Sequence, residues 1–216
     1  MLKLLIFDMD GTLFDTDKII IETWKEVITF FKGEEAIIDE DRIRTYSGPP
    51  IDFAINDALP EFERASVLKE YRTRAVKYYD LYLRLFDNAK KTLQQLHDEG
   101  FLLTILTSKN KQMTLKCLRD FDLLDLFSDI ITDNDVFKNK PDPEAIIHLL
   151  KKYNIKSNEA MMIGDSYFDM KCAENAGILS TLMSFGHRIF AGEINPTYTF
   201  DSFAKFYDKI KEIRNN

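Results

Sequence analysis

Leu4-Leu5-Ile6-Phe7-Asp8-Met9-Asp10-Gly11-Thr12 decides how this chain is read. Four apolar residues in a row, cut off by a carboxylate, predict a short buried strand. Gly11 then lets the backbone turn sharply. In an open α/β sheet, ligands bind just beyond the carboxyl ends of the strands, so Asp8 and Asp10 arrive together at the lip of a sheet. Two aspartates so placed point to a metal site, a nucleophile beside an acid/base, or both. The pentapeptide alone leaves these open.

Working outward, helix and strand patterns alternate from about residue 86 onward. Asp87 is placed to cap a helix carrying Ala89, Leu93 and Leu96 on one face and ended by Gly100. Strand patterns follow at 101–106, 129–132, 160–163 and 179–183. Helices are expected at 112–119, from Asp142-Pro143 to Tyr153, and at 166–176 before Gly177. Phe203, Phe206, Ile210 and Ile213 mark a final amphipathic helix. Such alternation predicts an α/β fold, a parallel sheet covered by helices on both faces.

Residues 16–84 interrupt the alternation. Ile20, Trp24, Val27 and Phe31 form one helical stripe, and a second helix is expected from Glu61 to about Tyr82. Gly48-Pro49-Pro50 breaks the chain between them. This stretch is read as a helical cap domain, residues 16–84, inserted into a core of residues 1–15 and 85–216.

Composition narrows the function classes. With 216 residues, 45% of them hydrophobic, the chain can bury a sizeable core. A net charge of −7 argues against nonspecific binding to nucleic acid or an acidic membrane surface. No apolar run approaches the ~20 residues that cross a bilayer. Residues 1–7 are too short for a signal-peptide core and are cut off by Asp8. Cys117 and Cys172 lack CxxC spacing and read as reduced thiols. A cytoplasmic protein is expected.

Three more strand ends carry polar residues. Leu106 is followed by Thr107-Ser108, Lys140 precedes Pro141-Asp142-Pro143, and Ile163 is followed by Gly164-Asp165-Ser166-Tyr167-Phe168-Asp169. Singly, each has an ordinary explanation: a loop, a solvated charge, a helix cap. Together and in this order, they resemble the four signature motifs of the haloacid-dehalogenase-like phosphohydrolase superfamily. Asp8-Met9-Asp10-Gly11-Thr12 matches the first, Thr107 the second, Lys140 the third and Gly164-Asp165-Ser166-x-x-Asp169 the fourth. The resemblance spans essentially the whole chain and fits the members with a helical cap after the first motif. It implies a Rossmann-like sheet with strand order 5-4-1-2-3.

The resemblance also implies roles. Asp8 is the nucleophile that forms an aspartyl-phosphate, and Asp10 is the general acid/base. Thr107, Ser108 and Lys140 bind the phosphoryl group. Mg²⁺ is held by Asp8, the Asp10 backbone carbonyl and Asp165, with Asp169 direct or one shell out. The chemistry is sensible, because a carboxylate attacking a phosphate dianion needs positive charge between them.

Within the family, Asp10-Gly11-Thr12-Leu13 resembles phosphoglycolate phosphatase and its pyrophosphatase relatives. The β-phosphoglucomutase branch typically carries Val where Thr12 stands, so a mutase is the alternative enzyme. A noncatalytic phosphometabolite sensor is the alternative from another class. The substrate expected is a small phosphorylated metabolite, phosphoglycolate-like or a sugar phosphate, acted on by a monomer. In the cap, Gly48 of Tyr46-Ser47-Gly48-Pro49-Pro50 resembles part of a loop that reaches the substrate. Arg44 is a candidate for binding an anionic substrate, as are Arg72, Arg74 and Lys77. His187 would lie on the active-site side of the sheet. Asp87-Asn88-Ala89 departs from the family, standing where relatives often carry Pro-x-Gly.

Overall fold

The structure is a computed structural model that describes residues 1–135, 138–185 and 193–215; His187 falls outside them. In chain order the strands are β1 (Leu4–Phe7), β2 (Phe14–Asp15), β3 (Arg84–Leu85), β4 (Leu102–Leu106), β5 (Asp129–Ile131), β6 (Ala160–Gly164), β7 (Leu179–Met183) and β8 (Tyr198–Phe200). The helices are α1 (Asp17–Lys32), α2 (Glu40–Arg44), α3 (Ile51–Ala58), α4 (Arg64–Tyr82), α5 (Ala89–Asp98), α6 (Lys111–Asp120), α7 (Glu144–Tyr153), α8 (Tyr167–Ala176) and α9 (Phe203–Asn215).

β1 lies inside a parallel sheet of order β5-β4-β1-β6-β7-β8, paired with β4 and β6. Its side chains alternate between two cores. Leu5 and Phe7 join Leu93, Leu96, Phe203, Phe206 and Ile210 on one face. Leu4 and Ile6 join Ile146, Leu149 and Ala173 on the other. Each fully buried side chain of this size contributes about 1.5–3 kcal/mol, which is why both faces of β1 are apolar. Counting only the five strands foreseen, the order is 5-4-1-2-3. β8 extends the edge beyond β7; its three residues, an exposed Thr199 between half-buried Tyr198 and Phe200, are too few for a strand period to show in the sequence.

Residues between β2 and β3 form a four-helix bundle with its own core of Trp24, Val27, Ile43, Tyr46, Ile55, Leu59 and Val67. Ile20, Trp24 and Val27 of the α1 stripe are buried, and Phe31 packs at the edge. Two helices were expected here and four are present, because α2 and α3 are too short for a periodicity to show. Gly48-Pro49-Pro50 separates them. α4 begins at Arg64, later than expected, where Glu63 caps it by accepting from Ser66 N at 2.8 Å.

Where the chain passes from core to bundle and back, β2 and β3 pair antiparallel, and Arg84 binds Asp15 at 2.9 Å. The cap of α5 is Asn88, not Asp87, and Asn88 adopts the left-handed conformation (φ 63°), which Asn tolerates better than most residues. Asp142 does accept from Glu144 N at 3.0 Å, although Pro143 is the residue flanking α7. Cys117 and Cys172 are buried and unbonded to each other. Among the described residues, no helix is long and apolar enough to cross a membrane.

Candidate active site

The site begins where β1 ends. Asp8 N still donates to Ile163 O at 2.9 Å, so Asp8 is the last residue the ladder holds. Gly11 then takes φ 78°, and Leu13 N and Phe14 N both donate to Met9 O, closing a tight loop. That loop brings Thr12 back toward the end of β6, where its hydroxyl donates to Asp165 Oδ1 at 3.2 Å.

Lys140 ties the ends of β1 and β4 to the first turn of α8. Its ammonium lies 2.8 Å from Asp8 Oδ1, 2.6 Å from Asp169 Oδ1 and 3.3 Å from Leu106 O. Asp169 is fixed from its other oxygen, which accepts from Ser166 N at 3.0 Å and Ser166 Oγ at 2.5 Å in the first turn of α8. Gly164 makes room for this: a Cβ there would lie 2.3 Å from Asp169 Cγ. Lys138, the other lysine before Pro141, is exposed and pairs with Asp142 at 3.3 Å.

Asp8, Asp165 and Asp169 are all buried, and each can offer an oxygen within 4.8 Å of the others. The Lys140 ammonium is shared between two of these three carboxylates, Asp8 and Asp169. The Asp8 carboxyl is pushed up to about 8, chiefly by burial. Lys140 opposes the rise, while Asp169 and Asp165 add to it. Burial would discharge Lys140 too, yet Asp169 and Asp8 outweigh it and hold the ammonium above its ordinary range. Three buried carboxylates offering hard oxygen donors this close together fit Mg²⁺.

Above this cluster, between bundle and sheet, is a cavity of about 800 Å³ walled by Asp8, Asp10, Thr107 and Ser108 from the core and by Tyr46, Ser47, Gly48 and Tyr79 from the bundle. Four buried oxygens on its walls, Asp10 Oδ1, Ser47 Oγ, Ser108 Oγ and Asp133 Oδ1, have no hydrogen-bond partner among the described residues. An unsatisfied buried polar group costs roughly 1–3 kcal/mol. Four such groups from four chain segments around one cavity describe a site shaped for a polar ligand. Gly48 (φ 97°) seats the bundle loop on the core, since a Cβ there would lie 2.6 Å from Ser166 Cβ.

Asp8, Asp10, Thr107, Ser108, Lys140, Asp165, Asp169 and Gly48 are thus gathered in one place. Arg44 is not: it lies outside the cavity wall, with its guanidinium 4.0 Å from Asp17 and 3.7 Å from Asp41. Arg74 pairs with Glu70 and Glu26, and Lys77 with Glu26, whereas Arg72 does reach the wall.

Two contacts escaped sequence reading. The Thr12 hydroxyl on Asp165 is one. The other is Lys109, which lies 2.5 Å from Asp10 Oδ2 and also binds the Tyr79 hydroxyl. A lysine two residues past Thr107 was visible, but a loop lysine reads as surface charge.

A family model described as haloacid dehalogenase-like hydrolase matches residues 5–183. The chain is 32% identical over 197 residues to a phosphoglycolate phosphatase of Vibrio cholerae, covering 86% of each chain. It is 27% identical over 208 residues to the pyrophosphatase PpaX of Halalkalibacterium halodurans, covering 95% of each. A haloacid dehalogenase-like family hydrolase of Streptococcus pneumoniae superposes with a TM-score of 0.82 at 20% identity, over 97% of this chain and 98% of the other. The match runs from β1 through β7, the span that carries every one of the four strand-end clusters. The chain belongs to the haloacid dehalogenase-like hydrolase family.

Proposed function

We propose that the protein is a Mg²⁺-dependent phosphatase that hydrolyses a small phosphate monoester through an aspartyl-phosphate on Asp8. The observation that carries this reading is the Asp8–Lys140–Asp169 cluster beneath a cavity walled by Asp10, Thr107 and Ser108. Phosphoglycolate or a sugar phosphate is the substrate class, supported by the relatives and by the cavity's unsatisfied polar oxygens.

Asp8, Asp165 and the Asp10 backbone carbonyl would hold the metal. Asp169, whose two oxygens are committed to Lys140 and Ser166, fits a supporting place better than a direct one. When bound, Mg²⁺ supplies the positive charge that lets a carboxylate approach a phosphate dianion. The Asp8 carboxylate attacks phosphorus in line, and the bond to the leaving oxygen breaks. Asp10 gives that oxygen a proton. Asp10 then takes a proton from water, whose oxygen attacks the phosphoryl group, releasing orthophosphate and restoring Asp8. Thr107 and Ser108 bind the phosphoryl oxygens, and Lys140 keeps Asp8 aimed. The bundle acts as a cap over the leaving group and excludes water.

The test is hydrolysis of p-nitrophenyl phosphate and a phosphate-ester panel, with Mg²⁺ and with chelator. Metal-dependent turnover that disappears in Asp8→Asn supports the reading. No turnover on any ester would favour a phosphometabolite sensor, and conversion of β-glucose 1-phosphate in place of its hydrolysis would favour a mutase.

A further inference from the structure

We infer that Lys109, held by the Tyr79 hydroxyl of the bundle, is a positioning residue that fixes the Asp10 carboxyl group for proton transfer to the leaving group. The inference rests on the phosphatase reading above, in which Asp10 is the general acid.

The Lys109 ammonium lies 2.5 Å from Asp10 Oδ2 and makes a second bond to the Tyr79 hydroxyl. It also stands 4.4 Å from the centre of the Tyr79 ring. Its side chain is 5% exposed, so these groups, rather than water, solvate the charge. A buried ammonium is stable only where polar partners replace its hydration, and here Asp10 Oδ2 and the Tyr79 hydroxyl do so.

The two oxygens of Asp10 are therefore unlike. Oδ2 is anchored by Lys109, whereas Oδ1 is buried with no hydrogen-bond partner among the described residues, and Asp10 lines the cavity. A general acid gains from this asymmetry. One oxygen sets the plane and direction of the carboxyl group, and the other is left to meet the leaving oxygen within hydrogen-bond reach. Lys109 is itself placed by the loop that carries Thr107, with Lys109 N donating to Thr107 Oγ1 at 3.2 Å. One short loop thus serves the phosphoryl group through Thr107 and the proton donor through Lys109. Tyr79 sits in the last turn of α4, close to the β2–β3 crossing, so the bundle contributes to the aim of Asp10 as well as to the cavity wall.

Leaving-group dependence tests this directly, because phenolate needs a proton at the transition state far more than p-nitrophenolate does. kcat/KM is measured for a series of substituted phenyl phosphates with wild type, Asp10→Asn, Lys109→Met, Lys109→Arg and Tyr79→Phe, all with saturating Mg²⁺. General acid catalysis is worth about 10²–10⁴-fold, so Lys109→Met is expected to lower kcat/KM for phenyl phosphate at least ~10-fold more than for p-nitrophenyl phosphate. Asp10→Asn sets the reference for that steepened dependence. Tyr79→Phe should show it more weakly, and Lys109→Arg should restore part of the loss. Equal losses across the series, as for a phosphate-binding or merely structural lysine, would overturn the inference. If Lys109→Met does not fold, the slope for Tyr79→Phe decides, and a wild-type slope overturns it. Wild type inactive on every ester with Mg²⁺ would instead sink the phosphatase reading and this inference with it.

Discussion

The Lys140 ammonium and the Asp8 carboxylate face each other at 2.8 Å with side chains only 3% and 5% exposed. Lys140 shares its charge with Asp169 at 2.6 Å. One cation therefore holds the end of β1 to the start of α8, and the acidic cluster depends on it when no metal is bound.

Removing that cation is expected to destabilise the metal-free protein strongly. Breaking a buried pair by deleting one partner costs about 3–5 kcal/mol, and Lys140→Met should fall in that range. Mg²⁺ should recover more stability in the variant than in wild type, because it replaces the missing charge. Urea unfolding with chelator and with Mg²⁺ measures both; a loss under about 1 kcal/mol would be too small for an uncompensated buried carboxylate pair.

The pH dependence of the metal-free protein should carry the mark of Asp8. Its carboxyl titrates near 8 when folded, mainly through burial, against an ordinary value of 3.8. Between those values the folded state binds the extra proton, so this group's contribution to stability falls as pH rises. In chelator, Asp8→Asn mimics the protonated form. It should therefore gain on wild type between about pH 5 and about pH 8. Parallel stability curves for the two proteins over that window would refute this.

Gly164→Ala places a methyl group where Asp169 Cγ already sits, at 2.3 Å. Asp169 must move, and with it the Lys140 contact. Overpacking of this kind costs about 1–3 kcal/mol. Activity is expected to drop far more than stability, which thermal melts and steady-state kinetics separate.

Thr12→Val deletes the hydroxyl that orients Asp165 Oδ1 at 3.2 Å. Outer-shell partners of metal ligands are typically worth 10–100-fold in affinity or activity. The Mg²⁺ concentration for half-maximal activity should rise accordingly, with kcat at saturating metal affected less. An unchanged Mg²⁺ requirement would show that the bond does not orient the ligand.

Arg44→Ala should leave KM and kcat near wild type, since its guanidinium turns to Asp17 and Asp41 outside the cavity. A large rise in KM would mean that substrate draws Arg44 inward.

What could be read from sequence follows from what leaves a local trace. β1 is legible because both its faces are covered, which demands an unbroken apolar run ending at Asp8. α8 is legible because Ser166 and Gly177 mark its two ends. Thr107, Lys140 and Asp165 are legible because each follows a strand or precedes a braced helix in a family pattern. β2 and β3 hold two residues each, and α2 holds five, too few for any periodicity. Lys109 is hidden for another reason. Its partners Asp10 and Tyr79 are 99 and 30 residues away, and nothing local distinguishes a lysine that will be buried from one that will be solvated.

The β2–β3 pairing has a consequence for how such a protein can change. Phe14 and Leu85 stand opposite each other, as do Asp15 and Arg84, so the strands that lead into and out of the 17–82 helical excursion run side by side about 5 Å apart. The excursion meets the rest of the chain through that neck and through a limited set of packed contacts, Gly48 on Ser166 and Tyr79 on Lys109 among them, so its far end can be lengthened or exchanged without moving β1, β4 or β6. Chemistry at Asp8 and choice of leaving group are thereby separate inheritances, joined by a two-rung ladder and by the few side chains, Tyr79 among them, that reach across.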